Sequence, residues 1–198
     1  MGAKGWGGVL DFDAPILDLD SSDPLSTGFS TTALEQVETP IVAVTGLMLT
    51  DVDSSSLVQC RAQIMNPSDG DFEILDVKAS LLVANLTKLY TLSSHTLTLD
   101  APAKSVTVAQ FQAALQTLSY INKSDKPTEG VRNIQVICID DSATPTAIGN
   151  VAVAQVTEVG VPDAPVLDLD VSNPASVNYT TTFTEGGLPV PITSLIQL

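Results

Sequence analysis

The chain has 198 residues, with 8 Lys plus Arg against 23 Asp plus Glu, a net charge of −15 and an isoelectric point near 4.1. That imbalance excludes partners held through phosphates, so neither nucleic acid nor an anionic membrane surface is expected. With 44% hydrophobic residues and a mean hydropathy of +0.26 the chain is too apolar for a disordered acidic polymer, yet no run reaches the roughly 18 apolar residues of a membrane span.

Ser and Thr supply most of the uncharged polar positions, while 12 Pro and 12 Gly interrupt Val-, Ile- and Thr-rich runs at short intervals. This is the composition of many short strands joined by turns, and it predicts an all-β fold. Residues 1–10 (MGAKGWGGVL) lack the apolar stretch of an intact secretory signal. No strand-like run precedes their glycines and no Lys-Ser or Lys-Thr follows, so they read as a flexible tail rather than a phosphate loop.

Next comes DAPILDLD at Asp13–Asp20, which returns as DAPVLDLD at Asp163–Asp170, an offset of 150 residues. The segment from Ser21 aligns with that from Val171, given one gap after Val37, until Leu198 falls opposite Leu49. Such self-similarity is the mark of a tandem architecture. It predicts a complete unit over 11–160 and the opening strands of a second over 161–198. Strand-like runs follow at Pro40–Leu49, Leu57–Ile64, Asp71–Val77, Leu81–Thr91, Thr96–Leu99, Leu118–Asn122, Asn133–Ile139 and Asn150–Val159. Turn signals such as NPSDGD (66–71) and KSDKPTEG (123–130) separate them, and eight such strands suggest a two-sheet sandwich. Phe111, Leu115 and Leu118 fall at spacings of four and three, predicting one short helix over Val108–Leu118.

Four pieces resemble the cadherin-like tandem repeats of large secreted adhesins and extracellular-matrix proteins. TEGG at 184–187, with Glu35 as its first-copy counterpart, is similar to the family's early glutamate. LTDVDS at 49–54 resembles its DxD turn, IDDSATP at 139–145 its late Asp turn, and the junction VPDAPVLDLD its repeat boundary. The resemblance implies a Greek-key, cadherin-like or immunoglobulin-like β-sandwich with one short helix, repeated in tandem. It also implies calcium held by Glu35, Asp51, Asp53, Asp140 and Asp141 at one end of the sandwich, since calcium takes six to eight oxygen ligands from carboxylates and carbonyls on separate loops. An Asp in a turn also caps backbone amides, so the bland alternative is a set of Asx-turns. Asp69 and Asp71, in SDGD, read as a hairpin turn.

Cys60 and Cys138 are the two cysteines, and nothing in their spacing suggests zinc or thioredoxin chemistry. In a sandwich of this order they occupy the second and sixth strands, the pair bridged between facing sheets in immunoglobulin domains. A disulfide is expected, against the alternative of two buried thiols. Asn85, Asn122 and Asn178 begin N-glycosylation sequons. Catalysis is not expected: the single histidine, His95, lies in a strand-like stretch, and no GxSxG, HExxH or Walker pattern occurs. These signs together predict an extracellular, glycosylated structural repeat that joins neighbouring copies of itself end to end. The alternative is a ligand- or carbohydrate-binding module of a larger extracellular protein, disfavoured by an aromatic content of 5%.

Overall fold

The computed structural model describes residues 13–43, 45–140 and 147–193, so the expected tail at 1–10 lies outside the described residues. The chain divides into two compact units, Met1–Val161 and Pro162–Leu198. Among the described residues, all strands and the one α-helix belong to the first.

In chain order these are β1 (Ile16–Asp18), β2 (Phe29–Leu34), β3 (Thr39–Pro40), β4 (Met48–Thr50), β5 (Leu57–Ile64), β6 (Glu73–Asp76), β7 (Thr87–Thr91), β8 (Thr96–Asp100), α1 (Val108–Leu115), β9 (Ser119–Asn122), β10 (Gly130–Asp140) and β11 (Ala152–Val159). They form a six-stranded sheet in the order β2-β11-β10-β5-β8-β7, a three-stranded sheet β3-β9-β6 and a two-stranded sheet β1-β4. The large sheet is antiparallel except where β2 lies parallel to β11. The result is a mostly-β layered fold with one helix, consistent with a β-sandwich.

Period-2 patterning builds the inner face of the large sheet. Along β10, Ile134, Val136 and Cys138 are buried while Asn133, Gln135 and Ile137 between them are not, and β11 buries Ala152, Ala154 and Val156 in the same way. Leu17, Leu19, Ile41, Leu75, Phe111 and Tyr120 from the other elements complete the core. The helix starts at a capping box in which the Thr107 hydroxyl accepts from the Gln110 amide and the Gln110 side chain accepts from the Thr107 amide. It ends at Leu115, three residues short of expectation, where the Thr117 hydroxyl donates to the Ala114 carbonyl at 2.8 Å, a local side-chain bond that competes with a continuing helix.

The expected strand Pro40–Leu49 is instead two short strands around a turn. Pro40 has no amide for a ladder, and the Gly46 and Leu47 amides both turn back to the Ala43 carbonyl. Gly46 is required there, since a Cβ would stand 2.9 Å from Asp20 Oδ1. Asp71–Val77 and Leu81–Thr91 likewise shorten to β6 and β7, because 3₁₀ turns occupy 70–72 and 79–81 and Asn85 adopts φ 69°. The first DAPILDLD copy contains β1 and sends Leu17 and Leu19 into the core. Its Leu17 backbone is gripped through both the amide and the carbonyl by the Asn150 side chain, at 2.7 and 2.8 Å.

The disulfide forms between Cys60 and Cys138, but not between facing sheets. The two cysteines stand directly opposite each other on β5 and β10, neighbouring strands of one sheet, with Cα atoms 4.1 Å apart. Strand order along the chain does not reveal which strands become neighbours, and here the runs Leu57–Ile64 and Asn133–Ile139 pair edge to edge.

In the second unit, Leu169 N donates to Val177 O, Asn173 N to Asp170 O and Ser176 N to Asn173 O. Each bond has a counterpart 150 positions earlier, from Leu19 to Thr27, Asp23 to Asp20 and Ser26 to Asp23. The side-chain bonds repeat as well: Asp168 accepts from the Asp170 amide as Asp18 does from Asp20, and Ser176 from the Asn178 amide as Ser26 does from Gly28. Replacing Cys60 and Cys138 by Ala is expected to cost about 2–4 kcal/mol, read as a lowered denaturation midpoint. Alkylation of both sulfurs in the native chain without reductant would contradict the bridge.

Candidate functional site

Asp51, Asp53 and Asp140 meet at one end of the large sheet, where one carboxylate oxygen from each lies within 4.8 Å of the others. Two structural facts bring them together. Asp51 and Asp53 lie in the turn between β4 and β5, and Asp140 ends β10 at a register shift that sets it opposite Leu57 at the start of β5. Asp51 Oδ1 accepts the Ser54 and Asp53 amides at 2.9 and 3.3 Å, so the DxD turn is also an Asx-turn. Burial raises the pKa of Asp51, and a carboxyl–carboxyl hydrogen bond with Asp53 and the charge of Asp140 push the same way, against the Ser54 and Asp53 amides. Three converging carboxylates, one held toward its protonated form by burial and by its neighbours, are a donor set that can hold a metal ion.

Glu35 does not join them. It follows β2 beside the far end of β11, where its amide donates to Val159 O and its Oε2 accepts the Val161 amide at 2.8 Å. Because β10 and β11 are antiparallel, that is the end of the sheet opposite Asp140. Asp141 lies outside the described residues. Of the sequons, Asn85 and Asn178 are exposed, but Asn122 is 1% exposed. Its Nδ2 donates to Asp69 at 2.6 Å and its Oδ1 accepts the Ser124 amide, so this side chain is part of the folded interior and closed to a glycan. His95 is no strand residue; with φ 48° it closes the 3₁₀ turn between β7 and β8.

A buried ion network that no sequence motif marks lies on the inner face. Arg132, 2% exposed, reaches from β10 with Nε to Glu73 on β6, and with Nη2 to Asp69 at 3.1 Å and to the Thr128 carbonyl at 2.7 Å. The Tyr120 hydroxyl donates to Glu73 Oε1 at 2.9 Å. Asp69 is therefore more than a hairpin residue. Burial raises its pKa, but the Thr128 hydroxyl and amide, the Asn122 amide and the Arg132 charge outweigh this and hold the carboxyl below the usual range. Tyr90 is pushed up to about 12 by burial and by Glu73 and Asp71, while Tyr120 is raised further for the same main reason. Glu158, 1% exposed on β11, faces this network, and among the described residues neither of its oxygens has a hydrogen-bond partner. Burial raises its pKa, Glu73 and Asp69 add to the rise, and Tyr120 and Arg132 oppose it. The legible signal was parity: Arg132 and Glu158 occupy the same inward phase as Ile134 and Val156.

Two expectations follow. Arg132→Met leaves Glu73 buried and unpaired and is expected to cost about 3–5 kcal/mol by denaturant titration. Because the folded state holds a proton on Glu158 above the ordinary carboxyl pKa, wild-type stability should fall as pH rises from that value to the raised one. Glu158→Gln should remove that fall, making the variant the more stable form at alkaline pH; unfolding curves that respond to pH as wild type does would contradict it. Comparison with protein-family models, curated proteins and solved structures finds no match to this chain, so its function is read from its own residues.

Proposed function

We propose that this chain is a structural repeat of an extracellular fibril or adhesin stalk, cadherin-like in organisation, whose units follow one another end to end and are stiffened by calcium. The observation that carries the reading is the repetition at an offset of 150: the sequence DAPxLDLD returns with its turn hydrogen bonds reproduced donor for donor. In the first unit Leu17 is core at 1% exposed, whereas its counterpart Leu167 is 50% exposed. Only Gly160, Val161 and Pro162 separate the end of β11 from the second copy, so successive units stand in close series along the chain. A module repeated in this way gains length by copy number with modest interfaces.

Several features support the setting. The disulfide is compatible with an oxidising compartment, and none of the described helices is long and apolar enough to cross a membrane. Asn85 and Asn178 present exposed sequons for glycans. Calcium is the cation that suits Asp51, Asp53 and Asp140, since hard carboxylate oxygens from a turn and a strand end meet its preference and carbonyls or waters can complete the shell. Its charge would also offset the burial and the Asp140 repulsion that raise the Asp51 pKa.

Calcium at about one hundred times its dissociation constant is expected to stabilise the chain by about 2.7 kcal/mol, seen as a raised melting temperature that a chelator reverses. Asp51→Asn and Asp140→Asn should each reduce the increment. Electron microscopy of the native material tests the assembly separately: filaments of regular axial repeat support the reading, and dispersed particles with and without calcium refute it.

A further inference from the structure

We infer that the outer face of the six-stranded sheet is a binding surface for an acidic saccharide, centred on Arg61. The inference is independent of calcium and goes beyond a purely structural role. In a chain with 23 carboxylates, the outward positions of these six strands carry one, Asp100, which sits at a strand end and accepts Gln59 Nε2 at 3.2 Å. The rest of the face is amide, hydroxyl and aliphatic. Arg61 projects from β5 in its middle, exposed, and among the described residues it has no acidic partner, unlike Arg132 and Lys88, which are paired.

The strand register turns this into a defined set of groups. Arg61 lies between Ile137 on β10 and Thr98 on β8, and Gln63 between Gln135 and Thr96. These two parallel rungs span three strands, so each covers about 10 Å at the usual strand spacing, enough for one or two sugar rings. They line a depression of about 380 Å³, within the range of small-ligand sites. One wall is fixed in advance. The Ser94 carbonyl accepts both Gln63 Nε2 at 3.1 Å and the Thr96 hydroxyl at 3.0 Å, which leaves Gln63 Oε1 to accept from a ligand hydroxyl.

The chemistry selects the ligand class. A guanidinium pairs bidentately with a carboxylate, Gln and Thr side chains exchange hydrogen bonds with vicinal hydroxyls, and the Ile137 side chain offers an apolar patch for the carbon face of a ring. A neutral sugar can accept hydrogen bonds from Arg61 but leaves its charge unmatched. An acidic peptide offers the carboxylate but not the hydroxyls.

The test is calorimetric titration of the full chain, at low salt and without calcium, using an oligogalacturonate and a neutral glucose oligomer of equal length. The acidic oligomer is expected to bind saturably, at least about tenfold more tightly than the neutral one, and to weaken as salt is raised. Arg61→Gln should weaken it by about tenfold or more, and Gln63→Ala by less, with melting temperatures unchanged. Equal affinity for both oligomers, an unaltered Arg61→Gln variant, or no heat at concentrations of about 10 mM would each overturn the proposal. So would sedimentation showing that Arg61→Gln abolishes self-association without affecting sugar binding, since the face would then be an interface between copies. A glutamate-rich peptide binding as well as the oligogalacturonate would overturn it too. Because the titration is made on dispersed, calcium-free protein, its failure leaves the filament reading untouched.

Discussion

A guanidinium shut away from water fixes the relation between the layers of this unit. Arg132 extends from the middle sheet strand β10 to Glu73 on β6 in the three-stranded sheet, and to Asp69 just before it. Burying this many charges is costly, and the arrangement is tolerable because nearly every lone pair and proton is used: Thr128, Asn122 and Tyr120 complete the shells of the two carboxylates. The bonds are directional in a way that Leu-on-Leu contacts are not, so they set how the two sheets face each other. Glu158 is the exception, a carboxyl held among groups already satisfied, and it makes this part of the core sensitive to alkali.

The charge of the molecule is distributed unevenly. Carboxylates gather in turns and at strand ends, where they cap amides as Asp18, Asp20, Asp23 and Asp51 do. The outward face of the large sheet is left nearly neutral. Turn chemistry explains the first tendency, since Asp is favoured wherever a side chain must accept a backbone amide. It does not explain the second, because β-strands on a solvated face tolerate Glu and Asp opposite Lys or Arg without difficulty. A neutral face on a chain of net charge −15 is where another surface approaches with least repulsion.

Much of this was legible beforehand, and the limits have physical causes. β5 was bounded to the residue, Leu57–Ile64, because its inward positions are apolar or cysteine and turns close it at both ends. β1 and β2 escaped assignment because Pro15 and a run of Ser and Thr hide their periodicity, although the repeat marks both segments. At the acidic site, Asp51, Asp53 and Asp140 were named and are brought together. Glu35 was named on a counterpart in the second copy, and only the antiparallel pairing of β10 with β11 shows that it belongs to the other end. Asn122 was read from a three-residue pattern that contains no information on burial. The Arg132 network was missed because residues 59 and 63 positions apart do not signal each other in sequence.

In the end-to-end array proposed above, the cross-strand bridge would take on a mechanical meaning. Tension applied to the two ends of the unit can draw out the segments before Cys60 and after Cys138, but the 78-residue separation between those cysteines is covalently closed. A loop of that size would contribute roughly 270 Å of slack if it could pay out, at about 3.5 Å per residue. With the bridge intact that length stays withheld, and the pull passes through the sulfur atoms from one central strand to its neighbour. β6, β7, β8, α1 and β9 all fall inside the closed loop, so an overstretched unit would keep them as a shielded nucleus on which the peeled strands can reseat when the force is released. A reductant would convert the same unit from a short, stiff link into a long, extensible one.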